Sequence, residues 1–207
     1  MPEGALVTEV PLTVSSYVAL VDVEAELADQ ISYGQYEALV VTSARAQNYV
    51  DIALRALAKD AAVYSVGVAT THALHNQGVT THVESRSRAR DLAPLLEKGP
   101  VLVLGAREMR DELYRDLVRR SIEVTRLVCY ETRPLQLQSR QVDDLREADI
   151  VLIGAPSAWS VARPHIEPGT WVVVPGPTTG DVVRVTHERV IEGWDETLRQ
   201  RLVRLSR

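Results

Sequence analysis

Short apolar, β-branched runs alternate with stretches of helical spacing along most of the chain, the pattern of an α/β fold built on parallel strands. Strands are predicted over residues 6–10, 37–41, 62–66, 80–83, 101–104, 123–130, 150–153, 171–174 and 188–191. Helices are predicted over 23–30, 46–58, 71–77, 90–97, 108–120, 140–146, 158–165 and 194–205. The helix predicted from residue 108 shows its stripe most clearly: Met109, Leu113, Leu117 and Val118 stand against Arg110, Arg115, Arg119 and Arg120, one apolar face and one solvated face at helical period. Gly78 and Gly99 fall just past helix ends, where a left-handed residue stops a helix.

The pattern repeats once. Ala38-Leu39-Val40-Val41 leads into Thr42-Ser43-Ala44-Arg45-Ala46, and Ile150-Val151-Leu152-Ile153 leads into Gly154-Ala155-Pro156-Ser157-Ala158. Downstream of the first lies Val66-Gly67-Val68-Ala69-Thr70-Thr71, and downstream of the second Pro175-Gly176-Pro177-Thr178-Thr179-Gly180. The spacing from Ser43 to Ala155 exceeds that from Thr70 to Thr179 by only three residues. Each copy therefore ends two successive buried strands in small and hydroxyl residues. Open α/β sheets bind ligands outside the carboxyl ends of their strands, so both copies place their chemistry at the same kind of edge. Two such edges facing one another form a cleft.

Residues 130–138 break the alternation. They follow a strand, contain Pro134 and read as extended chain, since proline and the residue before it disfavour helix. The hydroxyl-rich stretch 12–19 is extended as well. Together they make a two-stranded connector between a first-copy lobe, 12–132, and a second-copy lobe, 133–207, with 1–11 associated with the second.

With 207 residues, 45% hydrophobic and 25% charged, the chain can bury a core without covalent staples. Its net charge of −5 argues against a nucleic-acid partner, which asks for a basic face. Cys129 is the single cysteine, so no intramolecular disulfide forms and a reducing compartment fits. No apolar run reaches membrane-spanning length and no signal-peptide pattern opens the chain. A soluble, cytoplasmic protein is the expectation. The core is filled without a single Phe.

Several familiar chemistries are absent. There is no glycine-rich nucleotide loop and no nucleophile elbow. His72 and His75 lie three apart but lack a third ligand, so they read as solvent-facing and no metal is expected. What recurs is hydroxyls at strand-to-helix turns: Thr42, Ser43, Thr70, Thr71, Ser157, Thr178 and Thr179. Singly, such residues cap helices by accepting from orphan N–H groups. Collectively, several helix starts with their amides and dipoles suit a polyanionic ligand. Arg45 stands in the first turn after Ser43, where its charge opposes the helix dipole; a bidentate carboxylate clamp explains that placement. Arg110 belongs either to the same clamp or to a solvated basic face. Tyr130 ends a strand at the connector; a packing residue with a satisfied hydroxyl and a proton donor are both open to it.

These residues resemble the uroporphyrinogen-III synthase family. The resemblance rests on Leu39 to Ala46 around Ser43, Val66-Gly67 with Ala69-Thr70, Tyr130-Glu131-Thr132, Ala155 to Ala158, and Gly176-Pro177-Thr178-Thr179, in that order and spacing. It implies two α/β lobes, flavodoxin-like and related, joined by a two-stranded antiparallel connector. It also implies a cofactor-free lyase that cyclises hydroxymethylbilane, a linear tetrapyrrole bearing many carboxylates, with inversion of ring D and loss of water. Tyr130 is then the general acid, while Thr42, Ser43, Arg45, Thr70, Arg110, Ser157, Thr178 and Thr179 bind substrate. A monomer, coupled functionally to hydroxymethylbilane synthase, completes the implication.

Three departures stand out. The second lobe is expected to lack its first strand and helix, through an upstream start or a rearranged lobe. Ala155 replaces the hydroxyl residue usual before the proline, and Gly105-Ala106 departs from the usual glycine spacing before Arg110. A non-catalytic tetrapyrrole- or polyanion-binding module that keeps the cleft is the alternative these departures favour. A hinged receptor for some other small anion is a third.

Overall fold

The computed structural model describes residues 7–85 and 88–193; the helix expected over 194–205 lies outside the described residues. Of the described residues, 15–132 form one compact unit and 7–14 with 133–193 form another. The strands are β1 (Thr13–Tyr17), β2 (Tyr36–Val41), β3 (Leu57–Val66), β4 (Val83–Ser85), β5 (Val101–Ala106), β6 (Val124–Pro134), β7 (Ile150–Leu152), β8 (Trp171–Val174) and β9 (Val190–Glu192). The α-helices are α1 (Leu20–Glu26), α2 (Ala28–Tyr33), α3 (Val50–Arg55), α4 (Val68–Asn76), α5 (Glu112–Arg119), α6 (Ser139–Arg146), α7 (Pro156–Ala162) and α8 (Pro177–Arg184). Strands β1 and β6 each carry the chain from one unit into the other.

In the larger unit the sheet runs β1-β6-β5-β2-β3-β4, and β2 pairs in parallel with both β3 and β5, as do β3 with β4 and β5 with β6. Counted in chain order from β2, these five strands stand 3-2-1-4-5. That is the order of doubly wound dinucleotide-binding sheets, and it differs from the flavodoxin order expected of a lobe here. The central position of β2 explains its apolar run from Ala38 to Val41, because a strand covered on both faces has no polar side to show. Leu39 and Val41 enter one core with α3, α4 and the α1–α2 pair, while Ala38 and Val40 enter the other with Leu113 and Leu117 of α5.

The smaller unit holds the parallel sheet β7-β8-β9. Val151, Ile153, Val172 and Val174 pack there against Leu145 of α6, Trp159 and Ala162 of α7, and Val183 of α8. Trp159 meets His187 edge-on, and the His187 ring pairs with the Thr170 carbonyl at 2.8 Å. Among the described residues, 7–10 form no strand; Val10 and Leu12 instead pack onto this core.

Several helix limits depart from expectation. The helix expected over 46–58 is a 3-10 turn over Ala44–Tyr49 followed by the short α3, because Leu57 already aligns with Tyr36 and starts β3, with a bulge before Ala62 meets Ala38. The helix expected over 23–30 is split at Leu27. The helix expected over 90–97 is a 3-10 turn, Ala89–Leu95, with Pro94 inside it. Helix α5 starts at Glu112 rather than 108, so Met109 precedes it, and Val118 is exposed rather than part of its apolar stripe.

Candidate functional site

Parallel strands deliver every turn that follows them to one edge of each sheet. In the larger unit the crossovers leaving β2 and β5 diverge between those two neighbours, the switch point at which doubly wound sheets open a crevice. Thr42 sits there. Its hydroxyl donates to the Leu104 carbonyl at 2.8 Å and its N–H to the same oxygen at 3.1 Å, so Thr42 ties β2 to β5 rather than capping a helix. Gly105 makes the approach feasible: a Cβ there would fall inside the Thr42 hydroxyl and the Met109 sulfur.

Ser43 does cap. Its hydroxyl accepts from the Arg45 N–H at 3.3 Å, with extended backbone at φ −159°, ψ 144°. What it caps is the 3-10 turn over Ala44–Tyr49, whose short axis supplies less dipole than the α-helix expected there. The turn aims Arg45 toward β6. Its guanidinium lies 5.8 Å from the centroid of the Tyr130 ring, and its Nη1 reaches the Thr132 hydroxyl at 3.5 Å. A cation over a tyrosine face is attracted by the ring quadrupole. Two residues far apart in sequence thus form one small constellation, with Arg45 exposed and Tyr130 only 5% exposed.

Two neighbours of Tyr130 carry no distinctive sequence pattern. Arg107 donates its backbone N–H to the Tyr130 carbonyl at 2.7 Å and pairs with Glu131 at 3.2 Å. Its place, immediately past the carboxyl end of β5, is the available signal. Tyr17 of β1 stacks obliquely with Tyr130, centroids 6.0 Å apart; a tyrosine in a hydroxyl-rich strand gives no signal beyond β propensity. Arg110 lies in the loop before α5, not on a helix, and its carbonyl accepts from Arg126.

The threonines of the two sequence copies occupy equivalent stations. Thr70 is the third residue of α4 after Gly67, and Thr179 the third of α8 after Gly176. Each is 3% exposed, and each N–H donates to the carbonyl of its glycine. Helix α4 begins earlier than expected, so Thr70 stands inside its first turn rather than ahead of it, and the neighbouring Thr71 bonds Ser65 at 2.7 Å. Thr178 stands beside Thr179 in α8 and is half-buried. Ser157 is the second residue of α7, behind Pro156. Ala155 holds the N-cap with φ −154°, ψ 156°, nearly the geometry of Ser43, and has no side chain to cap with.

Burial pushes the Cys129 thiol up to about 12, so this cysteine is a core residue and no nucleophile. Burial likewise raises Tyr49, whose hydroxyl donates to the Val18 carbonyl at 2.6 Å. His72 and His75 are exposed. Among the described residues no group of three or more His, Cys, Asp or Glu side chains could hold a metal, and no helix is long and apolar enough to cross a membrane.

Comparison with known proteins gives these turns a family. No curated protein matches the chain. A mutant uroporphyrinogen III synthase from Thermus thermophilus is similar in structure, with a TM-score of 0.68 at 15% identity, over 95% of this chain and 87% of that one. Uroporphyrinogen-III synthetase from Helicobacter pylori is similar at a TM-score of 0.59 and 21% identity, over 95% and 91% of the two chains. At such identities the likeness speaks for a shared mixed α/β fold. The family model described as uroporphyrinogen-III synthase HemD matches residues 2–187, and with that match over most of its length the chain belongs to the uroporphyrinogen-III synthase family.

Proposed function

We propose that this protein cyclises hydroxymethylbilane to uroporphyrinogen III, inverting ring D and releasing water. The observation that carries the proposal is the meeting of the Arg45 guanidinium with the Tyr130 ring at the carboxyl end of one sheet; a guanidinium suits carboxylates and a phenol can donate a proton. The matched stations of Thr70 and Thr179 add to it, since each unit presents a helix start of the same build.

Loss of the terminal hydroxyl as water leaves an electron-poor azafulvene. Ring D attacks it through its substituted carbon, and the resulting spiro intermediate fragments and closes as the type III isomer. The substrate also cyclises unaided to the type I isomer, so the protein's task is to fix a conformation, an orientation effect. Arg45, Arg110, Ser43, Thr42 and Thr70 in the larger unit, and Ser157, Thr178 and Thr179 in the smaller, hold side-chain carboxylates through charge, hydroxyls and helix-start amides. Tyr130 protonates the departing hydroxyl. As proposed, the reaction calls on no metal or cofactor.

The proposal extends to architecture. Strands β1 and β6 form a two-stranded antiparallel connector between two lobes: Val18 N–H donates to the Cys129 carbonyl while Leu135 N–H donates to that of Leu12, a partner number that falls as the other rises. A monomeric cytoplasmic enzyme, fed by hydroxymethylbilane synthase, follows from the same proposal.

The test supplies hydroxymethylbilane generated in situ by its deaminase and resolves the product isomers. Type III in excess over type I supports the proposal. Type I alone eliminates the enzyme and leaves the binding module, which Ala155 and its uncapped helix favour.

A further inference from the structure

We propose that Tyr17 is a substrate-binding residue of this site, offering its ring face to a pyrrole of the tetrapyrrole chain. The inference rests on the function proposed above for its substrate class. Its structural basis is independent of that function. Tyr17 lies in β1, whose neighbour in the sheet is β6, and its ring stands 6.0 Å from that of Tyr130 at 46°. Tyr130 is enclosed, with Arg45 at 5.8 Å from its ring centroid. Tyr17 is 54% exposed. The groups gathered at this edge by strand ends, namely Thr42, Ser43, Arg45, Thr70 and Thr132, are all hydrogen-bonding or charged. They can hold the carboxylates of a tetrapyrrole but provide no aromatic surface for its rings. Tyr130 is too buried to provide one. Tyr17 does, against the same Tyr130 ring that the Arg45 guanidinium approaches, and Arg45 would take a carboxylate of the substrate.

A pyrrole laid on Tyr17 gains an aromatic contact of the ordinary offset or edge kind, a factor of roughly three to ten in affinity. The contact depends on the ring and not on the hydroxyl. That separates it from a merely structural tyrosine, and from the proton-donor role proposed for Tyr130.

The experiment compares Tyr17→Ala, Tyr17→Phe and wild type in the in situ hydroxymethylbilane assay. In parallel, uroporphyrin III is titrated as an octacarboxylate probe and followed by its absorbance shift. Tyr17→Ala is expected to raise KM and the probe Kd roughly three- to tenfold, with kcat falling less than KM rises. Tyr17→Phe is expected to restore both to within about twofold. Tyr33, also strongly exposed, serves as control, and Tyr33→Ala should leave KM and probe affinity alone. Unchanged KM and Kd in Tyr17→Ala, or failure of Tyr17→Phe to restore them, overturns the proposal. Should wild type yield only type I isomer, the proposed reaction falls. The porphyrin titration then decides Tyr17 by itself: Tyr17-dependent binding upholds it as a tetrapyrrole-binding residue, and equal binding, or none, removes it.

Discussion

At the scale of single residues, Arg45 and Tyr130 matter most, because each explains an oddity of the other. Arg45 occupies a helix-start position that the backbone dipole penalises, and Tyr130 is a nearly buried tyrosine with a cation over its ring. Tyr130→Phe keeps the ring and its packing but deletes the phenolic proton. Turnover should fall by about tenfold, at the low end for loss of a general acid, with an unaltered melting temperature. An unchanged rate removes the hydroxyl from the mechanism. Cys129 gives a second residue-level expectation. With its pKa raised from 9.0 to about 12 by burial, the thiol is protonated at pH 8 and shielded, so a thiol-exchange reagent should label it only after unfolding. The raised value also has a sign. The stability it contributes is complete below the unfolded thiol's pKa and is lost as pH climbs from there through about 12. Rapid labelling of native protein at pH 8 contradicts the burial.

Elements show where the sequence is readable and where it is not. Strand β2 is readable because burial on both faces leaves the apolar run Ala38 to Val41 after Glu37. The repeat is readable because each copy uses the same local chemistry, and the N-cap geometries of Ser43 and Ala155 nearly coincide. The helix expected over 46–58 fails for a physical reason: residues 53–62 are rich in Ala and Leu and have high helix propensity, yet Leu57 pairs with Tyr36 and sheet pairing prevails. The start of α5 is displaced to Glu112, and ahead of it the Arg107 N–H bonds the Tyr130 carbonyl and prolongs the pairing of β5 with β6, a contact that no local pattern encodes. Two substitutions test this level. Ala155→Ser adds a capping hydroxyl at a backbone already suited to one and should stabilise by about 0.5–1 kcal/mol, read as a raised denaturation midpoint. Gly105→Ala drives a methyl into Thr42 and Met109 and should cost ~1–3 kcal/mol, as overpacking does. A neutral Gly105→Ala refutes the tight packing of the Thr42 and Met109 side chains against Gly105.

For the molecule as a whole, the chemistry is legible as a set of residue types and their order, and the three-dimensional site only in part. Sequence pattern nominates Arg45 and Tyr130 separately; their meeting needs the parallel register of β2, β5 and β6. It nominates Arg110 too, which the fold leaves in a loop bonded to Arg126. It passes over Arg107 and Tyr17, since exposed arginines and strand tyrosines are common. The protein's task on this account is conformational more than chemical: grip a flexible polyanion so that ring D attacks from the spiro geometry. The most direct measurement is the isomer composition formed by Tyr130→Phe with protein in excess over hydroxymethylbilane. If orientation governs the outcome, this slowed variant still delivers mainly the type III isomer. If it consumes the substrate and releases only type I, proton transfer rather than positioning sets the product, and the account fails.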